Sequence, residues 1–266
     1  MPRLNIFAKG NADLRNALHA LHEDGAVRWN GINEVLRAQK PGWTARVVHE
    51  TMTRSDALLA QPAEPAAAAA ERGLALGAFS IDAQFQSGLF TGTPDVVVLS
   101  IQPDVMNALV RHRGDGHLFY PHEAPSWPDE DRAWLAATYA PEPPLGAGVS
   151  MVNLERIVSQ LRSVGDPQIL VFNLSPIVPW ERVHCYQGLG ETLAQRIRRF
   201  NLALAELSAE TGISIVDVDA VVARAGAERL KLDAVALTAE GCRLVCEEVV
   251  HILDDLGCFA EREGRA

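Results

Sequence analysis

The chain has 266 residues, 48% of them hydrophobic and 22% charged, enough apolar material to bury a sizeable core and too little charge for a disordered tail. Its formal net charge of −10 argues against nonspecific binding to nucleic acid or to an anionic membrane, which needs clustered Lys and Arg. No apolar run approaches the ~20 residues of a membrane span, and Met1-Pro2-Arg3 leads into a short strand rather than a long apolar segment, so neither a spanning helix nor a signal peptide is expected.

In chain order, a continuous apolar run at 4–8 reads as a first buried strand. Ile32-Asn33-Glu34-Val35-Leu36 fits an amphipathic helix ended by Pro41-Gly42, and a second run follows at 45–49. Residues 61–72 are Ala-rich with two prolines and read as a surface spacer or a weak helix. A third run spans 96–101. Residues 104–148 are long, aromatic and Pro-rich, with Phe119, Tyr120, Trp127, Trp134 and Tyr139, and a connection of that length predicts a lid-like insertion. Met151, Leu154, Ile157, Val158 and Leu161 then form a 3.6-residue stripe, with Ser150 as the expected N-cap. A fourth run at 169–173, a long helix over 191–210 closed by Gly212, a fifth run at 213–218 and a last helix from Thr238 to Leu256 complete the series.

Strands that are continuously apolar rather than alternating are buried on both faces of a parallel sheet. Alternating β and α elements with no hairpin signal predict one α/β domain over residues 1–266, a three-layer α/β/α sandwich with right-handed crossovers. Arg196, Arg198 and Arg199, the densest basic group, read as a solvated helix face. The four cysteines, Cys185, Cys242, Cys246 and Cys258, include no Cys-x-x-Cys pair and read as reduced core thiols, which points to a cytoplasmic protein.

Open α/β sheets bind ligands outside the carboxyl ends of their strands. The residues there are Lys9, Asn11 and Asp13; Glu50, Arg54, Ser55 and Asp56; Gln102 and Asp104; Asn173, Ser175 and His184; and Asp233. Of these, Lys9, Asn11, Arg54, Ser55, Gln102 and Asp233 are expected to line one cleft, with Asp13 and His184 as further substrate-binding candidates. Capping or turn bonding is the alternative for each. The Arg54 guanidinium suits a carboxylate or phosphate, or else pairs with Asp56 or Glu50. The Gln102 amide suits donation to an oxyanion, or else braces its loop. His112, His117 and His122 lack the His-x-x-x-His spacing of a zinc site and read as scattered loop residues, so no metal or cofactor is expected. Cys185 and His184 are adjacent in sequence and so poorly placed to act as a nucleophile–base pair.

Leu232-Asp233-Ala234-Val235-Ala236-Leu237-Thr238 resembles the last catalytic block of the SGNH (GDSL-like) hydrolases, an Asp-x-x-His stretch after the final strand. Gly10-Asn11-Ala12 falls in the slot of the family's Gly-Asp-Ser turn after the first strand, and a shifted alignment sets Asn16-Ala17-Leu18 against its Asp-Ser-Leu, again with Ala in the place of Ser. Met52, following Val47-Val48-His49-Glu50, lies nearest the family's oxyanion-hole glycine. Asp95-Val96-Val97-Val98-Leu99 matches the strand before the family's Gly-x-Asn-Asp block, with Pro103 where the oxyanion-binding Asn belongs. The resemblance implies a five-stranded parallel sheet in the order 2-1-3-4-5. It also implies that Ala12 stands at the position of the nucleophilic Ser and Ala236 at that of the His, with Asp233 as the acid that would orient it.

The leading expectation is therefore an SGNH-hydrolase-like enzyme acting on an ester or acyl bond of a small molecule, its site inactivated or rebuilt. The alternative is a noncatalytic protein that holds a small ligand in the same cleft. A third reading, a metal-dependent hydrolase built on the loop histidines, predicts stoichiometric metal.

Overall fold

The computed structural model describes residues 2–23, 25–60, 67–179, 181 and 190–260. Five strands, β1 (Arg3–Lys9), β2 (Thr44–Glu50), β3 (Val96–Ser100), β4 (Gln168–Phe172) and β5 (Ser214–Val216), form one sheet in the order β2-β1-β3-β4-β5. Every pairing in it is parallel. This is the expected sheet and strand order.

Side-chain alternation explains why the inner strands carry successive apolar residues, Ile6-Phe7-Ala8, Val96-Val97-Val98-Leu99 and Ile169-Leu170-Val171-Phe172. Successive residues of a strand point to opposite faces, and here both faces are covered. Ile6, Ala8, Val96, Val98, Leu170 and Phe172 pack in one core; Phe7, Val97, Leu99, Ile169 and Val171 pack in the other. The first core is closed by α1 (Ala12–Leu18), α2 (Ile32–Gln39) and the C-terminal helix Ala239–Asp255. The second is closed mainly by the helices Ala147–Val164 and Leu193–Thr211. β3 lies mid-sheet and is buried along its whole length, whereas β2, at an edge, is half-exposed.

Helix ends follow the local sequence at Gly212 and at Thr238, though not at Ser150. Thr192 caps Leu193–Thr211 by accepting from the Gln195 N–H, and Gly212, at φ 71°, supplies the left-handed residue that ends it. Thr238 caps the last helix in the same way, through the Gly241 N–H. Ser150 is the correction. Its helix starts a turn earlier, behind Gly146, and Ser150 lies inside it, fully buried, with its hydroxyl donated to Asp104.

Antiparallel pairs outside the main sheet correct the expectation of no hairpin. Leu21–Glu23 pairs with Ala26–Trp29, and Trp29 is buried with its indole N–H donated to the Ala17 carbonyl. Within the 104–148 stretch, Val110–His112 pairs with both Leu118–Phe119 and Tyr139–Pro141. The aromatic residues of that stretch have a core of their own, in which Leu76, Phe85, Phe119, Trp127 and Tyr139 are buried together. Of the 61–72 stretch, Ala67–Glu71 is helical and 61–66 lie outside the described residues. No described helix is long and apolar enough to cross a membrane.

Candidate functional site

β1 delivers the chain to a tight turn at Gly10. A Cβ on Gly10 would stand 2.6 Å from Leu14 Cδ1 and 3.3 Å from Ser100 Cβ, so only glycine lets β1 pass this close to α1 and β3. The Gly10 N–H donates to the Glu50 carbonyl at 3.1 Å, pinning the turn to the end of β2. Asn11 is next, and its buried amide joins three strand exits: Nδ2 donates to Gln102 Oε1 at 2.7 Å, and Oδ1 accepts from the Met52 N–H at 3.3 Å. The Met52 N–H is thereby engaged within the fold. Because Gln102 Oε1 faces Asn11, its Nε2 is left as the outward donor, with no hydrogen bond among the described residues.

Ala12 opens α1, and its N–H, like the first N–H of any α-helix, has no acceptor within the helix. Asp13 follows and accepts a short hydrogen bond from the Ser100 hydroxyl, which in turn accepts from the Gln102 N–H at 3.0 Å. Burial pushes the Asp13 carboxyl above the usual carboxylate range, against the pull of the Ser100 hydroxyl. The exit of β3 and the start of α1 are thus joined by one hydrogen-bonded chain.

The opposite wall is the loop before the last helix. Lys231 and Leu237 form an isolated antiparallel bridge, and the Leu232 N–H donates to the Ala236 carbonyl at 2.9 Å. Asp233 Oδ1 accepts from the Val235 N–H at 2.8 Å and the Ala236 N–H at 2.7 Å, closing the turn from within. Gly241 lets the helix sit tightly on this loop, since a Cβ there would lie 2.7 Å from the Leu230 carbonyl oxygen.

Between these walls lies a cavity of about 80 Å³ lined by Asn11, Ala12, Asp13, Asn16, Gln102, Val235, Ala236, Leu237 and Cys242. Ala12 and Ala236, remote in sequence, therefore share one small chamber with the Asn11–Gln102 pair. Asp233 is not in its lining; it is exposed, and its carboxylate is turned to its own backbone.

Three expected cleft residues are elsewhere. Lys9 is buried and pairs at 3.0 Å with Glu50, its register partner on β2. Burial lowers the Lys9 pKa, while Ser87, Gly88 and Lys9 together hold the Glu50 carboxylate low against its own burial. Arg54 is buried in a two-point pair with Asp56 and donates to the Pro143 carbonyl at 3.1 Å, which fastens the return of the insertion. Ser55 is buried with Asp104, Ser150 and Asn153. In each case a charged or hydroxyl group at a strand exit has found a partner inside the protein. Arg196 likewise leaves the solvated face expected for it: it donates to the carbonyls of Asp104, Val105 and Leu145. His184 and Cys185 lie outside the described residues.

Sequence reasoning passed over a second cavity, of about 640 Å³, lined by Arg15, Asn16, His19, Ala20, Leu21, His22 and His49. Asn16 lines both cavities. Burial lowers the pKa of His19 and His49, so both rings are neutral at pH 7, and the buried His19 Nε2 has no partner among the described residues. Their positions in helix α1's exit and strand β2 carry no motif that would have revealed this.

No protein-family model matches the chain, and no curated protein is similar to it. Solved structures are. A catalytic mutant of the acetylxylan esterase Axe2 from Geobacillus stearothermophilus superposes with a TM-score of 0.51 at 15% identity, over 96% of this chain and 94% of that one. The acetyl xylan esterase AlAXEase gives 0.53 at 12%, over 94% of this chain and 100% of that one. The α/β hydrolase LAE5 from the metagenome of Lake Arreo, Spain, gives 0.52 at 13%, over 97% of both chains. With the strand order, these likenesses show that the chain has the fold of those esterases, a three-layer α/β/α sandwich around a five-stranded parallel sheet.

Proposed function

We propose that this chain carries an acyl-ester hydrolase site whose polar frame is kept while its nucleophile and base are replaced by Ala12 and Ala236. The observation that carries the reading is their meeting in one cavity of about 80 Å³ beside the Gln102 amide. Acyl transfer needs a nucleophile, a base to take its proton, and donors for the oxyanion. Gln102 Nε2 and the Ala12 N–H supply the third requirement. A methyl group at 12 and another at 236 supply neither of the first two, so the chamber holds the acyl end of a small ester without cleaving it. The superposed esterases named for acetyl xylan support a short acyl group, which also suits the chamber's size.

The test is restoration. Ala12→Ser with Ala236→His should hydrolyse p-nitrophenyl acetate well above the parent chain, each single variant falling short of the pair. Enzyme-like hydrolysis by the parent would overturn the proposal in favour of chemistry rebuilt on other residues. One observation favours the alternative of a protein that only binds: Asp233 already has a use in closing its own turn, so its retention does not require a triad. That alternative predicts an inert double variant that is nonetheless stabilised against heat by acetylated sugars.

A further inference from the structure

In the insertion, outside the lining of the chamber, three metal-ligating side chains converge. His112 ends the strand Val110–His112, His117 precedes Leu118–Phe119, and Asp115 lies in the turn between them. The turn is fixed by backbone bonds, His112 N–H to the His117 carbonyl at 2.9 Å and Gly116 N–H to the His112 carbonyl at 3.1 Å. Asp115 Oδ1 lies 2.9 Å from His112 Nδ1 and 2.5 Å from His117 Nδ1. The three ligand atoms are all within 4.8 Å of one another, and the two rings stack at 4.7 Å with 12° between their planes.

Two details go beyond proximity. The Asp115 N–H approaches His112 Nδ1 at 3.2 Å. That contact makes Nδ1 the unprotonated nitrogen of His112, turned toward the carboxylate, and an ion taking its lone pair would displace the N–H. On the far side of the second ring, His117 Nε2 lies 3.0 Å from the Tyr139 hydroxyl. Tyr139 is buried, which holds its hydroxyl against that ring. A metal-bound imidazole is held in this manner, one nitrogen on the ion and the other on an outer hydrogen bond.

We propose that His112, Asp115 and His117 bind one divalent transition-metal ion, with Zn²⁺ the best match to two imidazole nitrogens and one carboxylate oxygen. Zinc takes such ligands at ~2.0–2.2 Å in a tetrahedron, which sets them ~3.3 Å apart, so Asp115 must draw back from the two rings by about 0.4–0.8 Å. It is 65% exposed on a turn and can do so. The fourth position is left to water. His122 takes no part; it packs on Phe79 and Tyr120. Because the ligands bridge the turn between two strands of the insertion's sheet, an ion there would clasp that sheet and stabilise the folded chain.

The experiment uses the full chain, stripped with chelator and titrated with ZnCl₂ and separately with CoCl₂. The expected result is one equivalent of Zn²⁺ bound, a rise in melting temperature, and a visible Co²⁺ band of a low-coordinate N/O site. Outer partners alone change affinity ~10–100-fold, so Asp115→Ala and His112→Ala should each weaken binding by at least that much, while His122→Ala leaves it unchanged. Asp115→Asn repeats the test with less disturbance of the turn should the alanine variant fold poorly. Failure of the parent to bind a stoichiometric ion, or binding undiminished in the Asp115 and His112 variants, would overturn the proposal.

Discussion

Asp104 is the buried group on which the geometry of the cleft rests, and truncating it should be severe. Its Oδ1 accepts the Ser55 N–H at 2.6 Å; its Oδ2 accepts the Ser55 hydroxyl at 2.6 Å and the Ser150 hydroxyl at 2.5 Å. Three elements meet there: the exit of β2, the turn carrying Gln102, and the helix Ala147–Val164. Hydrogen bonds to an ionised acceptor contribute about 1.5–3 kcal/mol each, and the cost of burying the carboxylate offsets part of that sum. Burial is also the main reason its pKa is raised. Asp104→Ala keeps none of these bonds and leaves the Ser55 N–H buried without an acceptor, a loss of about 3–5 kcal/mol by analogy with other broken buried networks. For a chain of this size each kcal/mol moves the melting temperature by about 2–4 °C, so a drop of about 6–20 °C is expected in a thermal scan followed by circular dichroism. Asp104→Asn retains an oxygen for the Ser55 N–H and should lose less than half as much. Its deficit should shrink as pH rises: a carboxyl whose folded pKa is raised binds its proton more tightly in the native state, which favours the parent at low pH and withdraws that advantage as pH climbs through the folded pKa. An alanine variant melting within about 2 °C of the parent would refute the reasoning, since a loss below 1 kcal/mol is incompatible with a network that orders three elements.

Gly10→Ala places a methyl group 2.6 Å from the buried Leu14 Cδ1, and the overpacking should cost about 1–3 kcal/mol, read as a lower urea midpoint with unchanged slope. In the Ala12→Ser, Ala236→His background, Gln102→Ala should lower kcat on p-nitrophenyl acetate by roughly 10²–10³ with little change in KM, the signature of a lost oxyanion donor; an unaltered kcat would reduce Gln102 to a brace for Asn11. Lys231 is buried, donates to the carbonyls of Ser175 and Ile177, and has its pKa lowered to about 8 by burial. Its folded form gives up the proton first, so between pH of about 8 and 10.5 the parent should gain stability with rising pH relative to Lys231→Met; parallel stability–pH curves would contradict this.

The sheet was legible because its signal is local. A strand buried on both faces needs an unbroken apolar run, and β1, β3 and β4 each contain one. The insertion was illegible for the opposite reason: strands of two or three residues have no period to detect, and the hydrophobic cluster under them is assembled from Leu76, Phe85, Phe119, Trp127 and Tyr139, far apart in sequence. The Leu21–Glu23 hairpin does have a signal in the sequence, the Asp24-Gly25 dipeptide, but its strands are too short to add an alternating pattern to it. Ser150 looks like an N-cap because a serine before an apolar stripe is one most of the time. What it does instead depends on Asp104, 46 residues away.

The same distinction separates the candidate site residues that line the small cavity from those that do not. Asn11 and Gln102 were chosen for amides at strand ends, and amides can serve the fold and a ligand together, because one face of the group is engaged while the other stays open. Lys9 and Arg54 were chosen for charge at strand ends, and a charge that close to the sheet must be paired before anything else. Asp56, two residues from Arg54, was visible in the sequence as such a partner, whereas Glu50 beside Lys9 came only with the strand register. Polar strand exits in an open α/β sheet are thus better ranked by whether a neutralising partner lies within reach along or across the strand than by the chemistry of the side chain alone. On that ranking Gln102 stands first in this chain, and Asp233, whose nearest donors are the backbone N–H groups of its own turn, stands well below it.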